Sequence, residues 1–261
     1  MLHQLPDGYV DQDRGSSRVI ATRLQLNEMV RLLAPGTRET VGEAVQGGRG
    51  GTRRVKLAGG NVIYLRHYLR GGFIRHFLRD RFLLRPLRPV HELIATHRAR
   101  AAGCRVPLVQ AVAIEDAGPF YRGWIITSAM PVVATFAEAF AGVGEGKRAE
   151  LLGQAGRAVR AQHDAGVYHV DLTGENLLLD REGQIVTVDF DRAVMAAPGN
   201  VTRSKAGLDR LWRSLRKLSK ERSFELDDAE RNSLETGYKT GEAPADEEGI
   251  LNMDASGDRA Q

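Results

Sequence analysis

The chain has 261 residues, 42% of them apolar, with a formal net charge of +4 and a pI near 9.4. That length suits one large domain or two small lobes, and the mild basicity permits an anionic partner without requiring one. A single cysteine, Cys104, excludes an internal disulfide framework and a cysteine-based zinc cluster. No apolar run approaches the length of a membrane span. The opening residues lack the basic start and apolar core of a secretory leader, so a cytosolic protein is expected.

Residues 1–35 read as an irregular extension with a short amphipathic segment near "RLQLNEMVRLL". The stretch "ETVGEAVQGGRGGTRRVKLAGGNVIYLRHY" predicts strand, Gly-rich turn, strand, tight turn, strand. "AGGN" supplies the residues a hairpin connection needs, and "NVIYLRHY" alternates as a half-buried strand does. Between Tyr64 and Arg105 ten arginines face two acids, Asp80 and Glu92, and Pro86 and Pro89 interrupt the run. "VHELIATHRARAAG" predicts a helix closed by Gly103, and "VPLVQAVAIED" and "FYRGWIITSAM" predict two strands around a turn at Ala117–Pro119. Farther on, apolar spacing predicts helices over "GKRAELLGQAGRAVRAQHDAG" and "GLDRLWRSLRKLSK". From residue 241 six acids face one basic residue with few large apolar side chains, the composition of a disordered tail.

The chemistry concentrates in "YHVDLTGENLLLDREGQIVTVDFDRA", residues 168–193. "NLLLD" and "QIVTVDF" predict a β-hairpin turning at "REG". Asp171 and Asn176 precede its first strand and Asp189 follows its second, so the hairpin would bring all three to one end. Phosphoryl transfer from ATP needs such a set: a carboxylate to orient the attacking hydroxyl and take its proton, and an Asn and a second carboxylate to hold Mg²⁺. The protein-kinase signature runs His-Arg-Asp, four residues, Asn, then Asp-Phe-Gly. Here His169-Val170-Asp171 is followed after four residues by Asn176, and Asp189-Phe190-Asp191 begins thirteen residues later. Each residue alone would be read as a turn cap; their order and the intervening hairpin favour Asp171 as base and Asn176 and Asp189 as metal ligands.

Upstream, Gly48 and Gly50 lie in "GGRGGT", where backbone N–H groups could approach phosphates, although a plain surface hairpin has the same composition. Kinases pair a strand Lys with a helix Glu. This chain offers Arg66 and Glu92 there, with Lys56 a weaker substitute for the cation. Backbone groups from Ser128 to Met130 are placed where a hinge would meet adenine.

The segments "YLRHYLRGGFIRHFLRDRFL", "HELIATHRARAAGCRVP" and "YHVDLTGENLLLDREGQIVTVDFDRA" together resemble the bacterial 3-deoxy-D-manno-octulosonic acid (Kdo) kinases and, more broadly, the lipopolysaccharide core heptose kinases. The resemblance spans roughly residues 40–220. It implies an α+β, protein-kinase-like fold: a β-rich N-lobe over 36–130, a mainly helical, reduced C-lobe over 131–240, an N-terminal extension over 1–35 and a tail over 241–261. It implies ATP and Mg²⁺, transfer of phosphate to the 4-hydroxyl of Kdo on a lipid A precursor, Asp171 as catalytic aspartate, and peripheral attachment at the cytoplasmic face of the inner membrane.

Features of the chain itself agree with a non-protein acceptor. Only 72 residues follow Asp189, with no Ala-Pro-Glu sequence. Asp191 replaces the flexible glycine of the kinase signature, which predicts a stiffer loop. The Arg-rich segment 66–105 interleaves Phe and Leu with Arg, as a segment lying on an anionic membrane would; a solvated basic face reads the same way, and no nucleic-acid module accompanies it. The alternatives are a kinase for core heptose or an aminoglycoside-type acceptor, a protein kinase, or a non-catalytic scaffold in which Arg66 marks lost activity.

Overall fold

The computed structural model describes residues 5–45, 51–70, 79–83 and 86–241. Gly48, Gly50 and the acidic tail lie outside them. The first half is an antiparallel sheet: β1 (Tyr9–Asp13), β2 (Ser17–Thr22), β3 (Glu43–Ala44), β4 (Thr52–Lys56), β5 (Val62–His67), β6 (Phe82–Leu83), β7 (Val109–Ala117) and β8 (Phe120–Ser128). Its order is β1-β2-β7-β8-β5-β4-β3, with β6 pairing β8 off that path. The β4–β5 hairpin turns through Gly60 at φ +86°, as "AGGN" predicts, and β7–β8 turns through Gly118 at φ +69°.

Residues 9–22 correct the reading of the first 35 residues as irregular. They form a hairpin whose second strand pairs β7 from Ser17↔Glu115 to Ala21↔Ala111. Val19, Ile20 and Ala21 are buried on both faces, so "SRVIAT" shows no period-two alternation, and its partner lies far along the chain. The amphipathic segment after it is α1 (Leu26–Leu32), which buries Met29 and Val30 against the sheet; the short α2 (Thr37–Thr40) follows.

Helix α3 (Arg88–Ala101) packs Val90 and Leu93 on the sheet, and its buried Ala95 and Ala99 join a cluster with Phe190 and Val167 of the second half. Pro89 opens it, where a missing N–H costs nothing, and Gly103 at φ +78° closes it. The same helix thus touches both halves.

The second half comprises β9 (Val132–Thr135), α4 (Phe136–Ala141), α5 (Glu145–Asp164), β10 (Val167–Tyr168), β11 (Leu177–Asp180), β12 (Ile185–Thr187), β13 (Val194–Met195), α6 (Val201–Arg222) and α7 (Asp228–Lys239). Leu151, Leu152, Leu177, Leu211, Leu215 and Leu234 share one core. Helix α5 crosses α7 at glycines: a Cβ on Gly156 would stand 2.2 Å from the Leu234 carbonyl oxygen. That close approach fixes α5, whose Gln162 donates to Thr187 Oγ1 at 2.9 Å and so steadies β12. Among the described residues no helix is long and apolar enough to cross a membrane.

Candidate active site

The β11–β12 hairpin forms as predicted, with Leu177 opposite Thr187 and a turn at Gly183, φ +74°. One step beyond that register, the Asn176 carbonyl accepts from the Val188 N–H at 3.0 Å, which brings Asn176 beside Asp189. The Asn176 Nδ2 donates to the Asp171 carbonyl at 2.8 Å. Asp171, Asn176 and Asp189 therefore share one end of the hairpin, as expected.

Asp189 adopts a left-handed backbone, φ 68° and ψ 60°. Only two non-glycine residues of the described chain do so. Such a conformation costs on the order of 1–3 kcal/mol and persists where surrounding contacts impose it. The contacts are evident. The Arg66 Nη1 donates to Asp189 Oδ1 at 2.7 Å, and its Nη2 reaches both Glu92 carboxylate oxygens at 2.6 Å. The Tyr68 hydroxyl donates to Glu92 as well. Arg66 thus pairs with the helix glutamate as the strand cation should, and also bridges from β5 to the far side of the hairpin. Burial pushes the Asp189 carboxyl up, but the Arg66 guanidinium outweighs it and holds Asp189 below the usual carboxylate range. Burial raises Glu92, and Arg66 offsets part of that rise.

Asp191 bonds Arg88 at the start of α3, and Phe190 is buried beside His169, ring centroids 5.4 Å apart. The 3-10 turn Phe190–Arg192 is therefore tied at two points to its surroundings. His169 is buried, which lowers its pKa and keeps the ring neutral; its Nε2 lies 3.1 Å from the Val188 carbonyl.

Asp171 has different partners. Its side chain is 37% exposed, close to the 42% of Asp189; Arg192 Nη1 lies 2.7 Å from Oδ2, and Arg210 Nη2 of α6 lies 3.6 Å from Oδ1. Neither arginine was singled out from the sequence. Arg192 sits three residues past Asp189 and could have been noticed; Arg210 comes from another helix, and only the tertiary fold brings it in.

The remaining expectations divide. Met130 lies just past β8, its carbonyl accepting from Val132 at 2.8 Å, so the chain turns there into β9. Lys56 ends β4 exposed, whereas Arg66 reaches the carboxylates. Of the ten arginines between 64 and 105, Arg66, Arg70, Arg88, Arg98, Arg100 and Arg105 are engaged with carboxylates or carbonyls of the protein. Arg79 and Arg81 are exposed. Most of the described arginines of that run are thus held by the protein's own groups, although Arg98 and Arg100 remain exposed.

As a test of whether a hard divalent cation suits this end, Asn176 and Asp189 offer a neutral amide oxygen and a carboxylate oxygen not held by Arg66 from backbone positions one residue apart across the hairpin end. Among the described residues no cluster of three or more His, Cys, Asp or Glu accompanies them. Two protein oxygens fit Mg²⁺, which keeps waters and substrate phosphates as its other ligands.

The model of the lipopolysaccharide kinase (Kdo/WaaP) family matches residues 36–238. The chain belongs to that family. It is 34% identical over 183 residues to the 3-deoxy-D-manno-octulosonic acid kinase of Xylella fastidiosa (strain 9a5c), covering 69% of this chain and 72% of the relative. It is 33% identical over 222 residues to that of Stenotrophomonas maltophilia (strain K279a), covering 82% and 86%. A solved structure of WaaP in complex with acyl carrier protein superposes with TM-score 0.55 at 19% identity, over 81% of each chain. The likeness is one of fold: a two-lobe, kinase-like arrangement of sheet and helices. The chain is a kinase of this family.

Proposed function

We propose that this kinase transfers the γ-phosphoryl group of ATP to the 4-hydroxyl of Kdo on a lipid A precursor, working against the cytoplasmic face of the inner membrane. Residues 36–130 form its nucleotide lobe and 131–240 its catalytic lobe. The observation that carries the reading is the convergence of Asp171, Asn176 and Asp189 at one hairpin end, braced by Arg66 and Glu92, in a chain whose relatives are named Kdo kinases.

Asp171 accepts the proton of the attacking hydroxyl; its exposure leaves room for a sugar to approach. The hydrogen bond from Asn176 holds the backbone of Asp171 in place, so the base and the candidate metal ligand move as one unit. Asn176 and Asp189 would hold Mg²⁺, which when bound offsets charge on the phosphate oxygens. Arg66 keeps Asp189 ionised and presents a planar cation toward the phosphates, where a Lys would present a point charge. Backbone groups at Gly48, Gly50 and Met130 contact the nucleotide. Exposed arginines such as Arg79 and Arg81 favour an anionic lipid surface.

The test is mass spectrometry of a Kdo-bearing lipid A precursor incubated with protein, Mg²⁺ and ATP, beside the Asp171→Asn variant. One added phosphate on Kdo, absent with the variant, is the expected result. Phosphate on a heptose, or none on the lipid, would overturn the acceptor assignment.

A further inference from the structure

Two arginines share the one carboxylate of Asp171, Arg192 at 2.7 Å and Arg210 at 3.6 Å. A proton acceptor does not need them, since they stand against the very oxygens that an incoming hydroxyl must reach. The other arginines of the site are matched: Arg66 by Glu92 and Asp189, Arg88 by Asp191. Asp209, next to Arg210 in sequence, pairs with Arg231 at 3.2 Å. The ion pairs of Asp171 thus set two positive charges against one negative. Arg192 and Arg210 are 62% and 46% exposed, so both can change partner at little cost.

A surplus cation beside the base suits an anion that arrives with the substrate. Each guanidinium has five N–H donors in a planar fork matched to carboxylates. Arg192 places one nitrogen on Asp171, and the rest of its fork remains for a second carboxylate.

We propose that Arg192 and Arg210 form a carboxylate-binding site for the acceptor, and that they position its hydroxyl against Asp171. This inference rests on the sugar acid named above as acceptor. In that sugar the carboxyl carbon and the 4-hydroxyl oxygen are separated by four single bonds of ~1.5 Å each along a bent path, on the order of 5 Å at most. A hydroxyl on Asp171 therefore puts the carboxylate within reach of guanidinium groups that already touch Asp171. When the acceptor enters, the arginines turn part of their fork to its carboxylate and release the base. A neutral sugar of the same size leaves them on Asp171, so the site selects sugar acids.

The test compares two lipid acceptors that keep the same phosphates and differ only at Kdo: the free carboxylate and its neutral carboxamide. Steady-state kinetics with Mg²⁺ and ATP are measured for wild type, Arg192→Gln and Arg210→Gln, with Arg213→Gln, on an exposed turn of the same helix, as control. Wild type is expected to lose roughly 10- to 100-fold in kcat/KM on the carboxamide, mainly through KM, as for a lost hydrogen bond to a charged group. Arg192→Gln should lose a similar factor on the acid and little further on the carboxamide, Arg210→Gln somewhat less, and Arg213→Gln nothing. Equal turnover of acid and carboxamide by wild type would overturn the site, as would equal losses of Arg192→Gln on both, which would mean that it acts only through Asp171 or through the lipid phosphates. Failure of wild type to phosphorylate the acid at all would overturn the acceptor reading itself and this ligand with it.

Discussion

Asp189 and Asp171 are about equally open, 42% and 37% exposed, but their partners differ: Asp189 bonds an arginine that the buried Glu92 also holds, with Tyr68 bracing Glu92 in turn, whereas Asp171 meets two arginines that are themselves exposed. The two carboxylates stand at one end of one hairpin, yet the first is fixed and the second can exchange partners. Ion pairs gain strength where water is excluded and lose it where water competes, and the pair of Arg66 with the buried Glu92 anchors the arginine that reaches Asp189. The Asp189 end is therefore pre-assembled, which suits the nucleotide and metal site proposed for it. The Asp171 end is adaptable, which suits the proposed base whose arginines turn to the acceptor.

The contrast can be broken one residue at a time. Asp171→Asn keeps shape in an exposed position; turnover should fall roughly 10²- to 10⁴-fold with the melting temperature unchanged, read by steady-state kinetics and calorimetry. At the other end, Glu92→Ala should destabilise by about 3 kcal/mol, because it leaves Tyr68 and part of Arg66 unpaired in a buried place. A melting temperature lower by roughly 10 °C would mark that loss.

Acidification separates buried from exposed groups in another way. Burial lowers His163, 2% exposed, from 6.5 to about 4. The unfolded chain therefore binds a proton before the folded one does, and stability is present above pH 6.5 and drains away between 6.5 and about 4, by roughly 3 kcal/mol in all. His163→Gln, which can still bond Tyr238, should flatten that slope in thermal melts at several pH values. His169 shifts in the same direction. Asp191→Gly should cost about 1 kcal/mol by releasing Arg88, and should speed proteolysis within the turn Phe190–Arg192. The smallest effect on the fold is expected at Arg79 and Arg81. Reversing both charges should leave stability and action on a soluble short acceptor alone, while lowering activity on acceptor in anionic vesicles.

The sequence made the hairpin of residues 177–187 and its three polar residues legible because both strands, their turn and the flanking groups are neighbours in the chain. The pairing of Arg66 with Glu92 was readable from strand-and-helix order. That Arg66 also bridges to Asp189 was not, since it joins residues 123 apart. The N-terminal hairpin escaped for a like reason: "SRVIAT" is buried on both faces and gains its strand character only beside β7. The basic run misled in part. Composition reads a charged surface, whereas Arg88, Arg98 and Arg105 each cross to a distant acid or carbonyl. Arg210 reaches Asp171 only once α6 packs beside the hairpin, whereas Arg192 stands three residues past Asp189 in the chain.

The most direct test of the contrast is calorimetric titration of ATP, with Mg²⁺ and with chelator, into wild type, Asp171→Asn and Asp189→Asn. The account predicts that Asp171→Asn binds Mg·ATP within a few-fold of wild type, while Asp189→Asn loses the part of the affinity that depends on metal. Metal-dependent binding that survives in Asp189→Asn, or that both variants weaken equally, would contradict it.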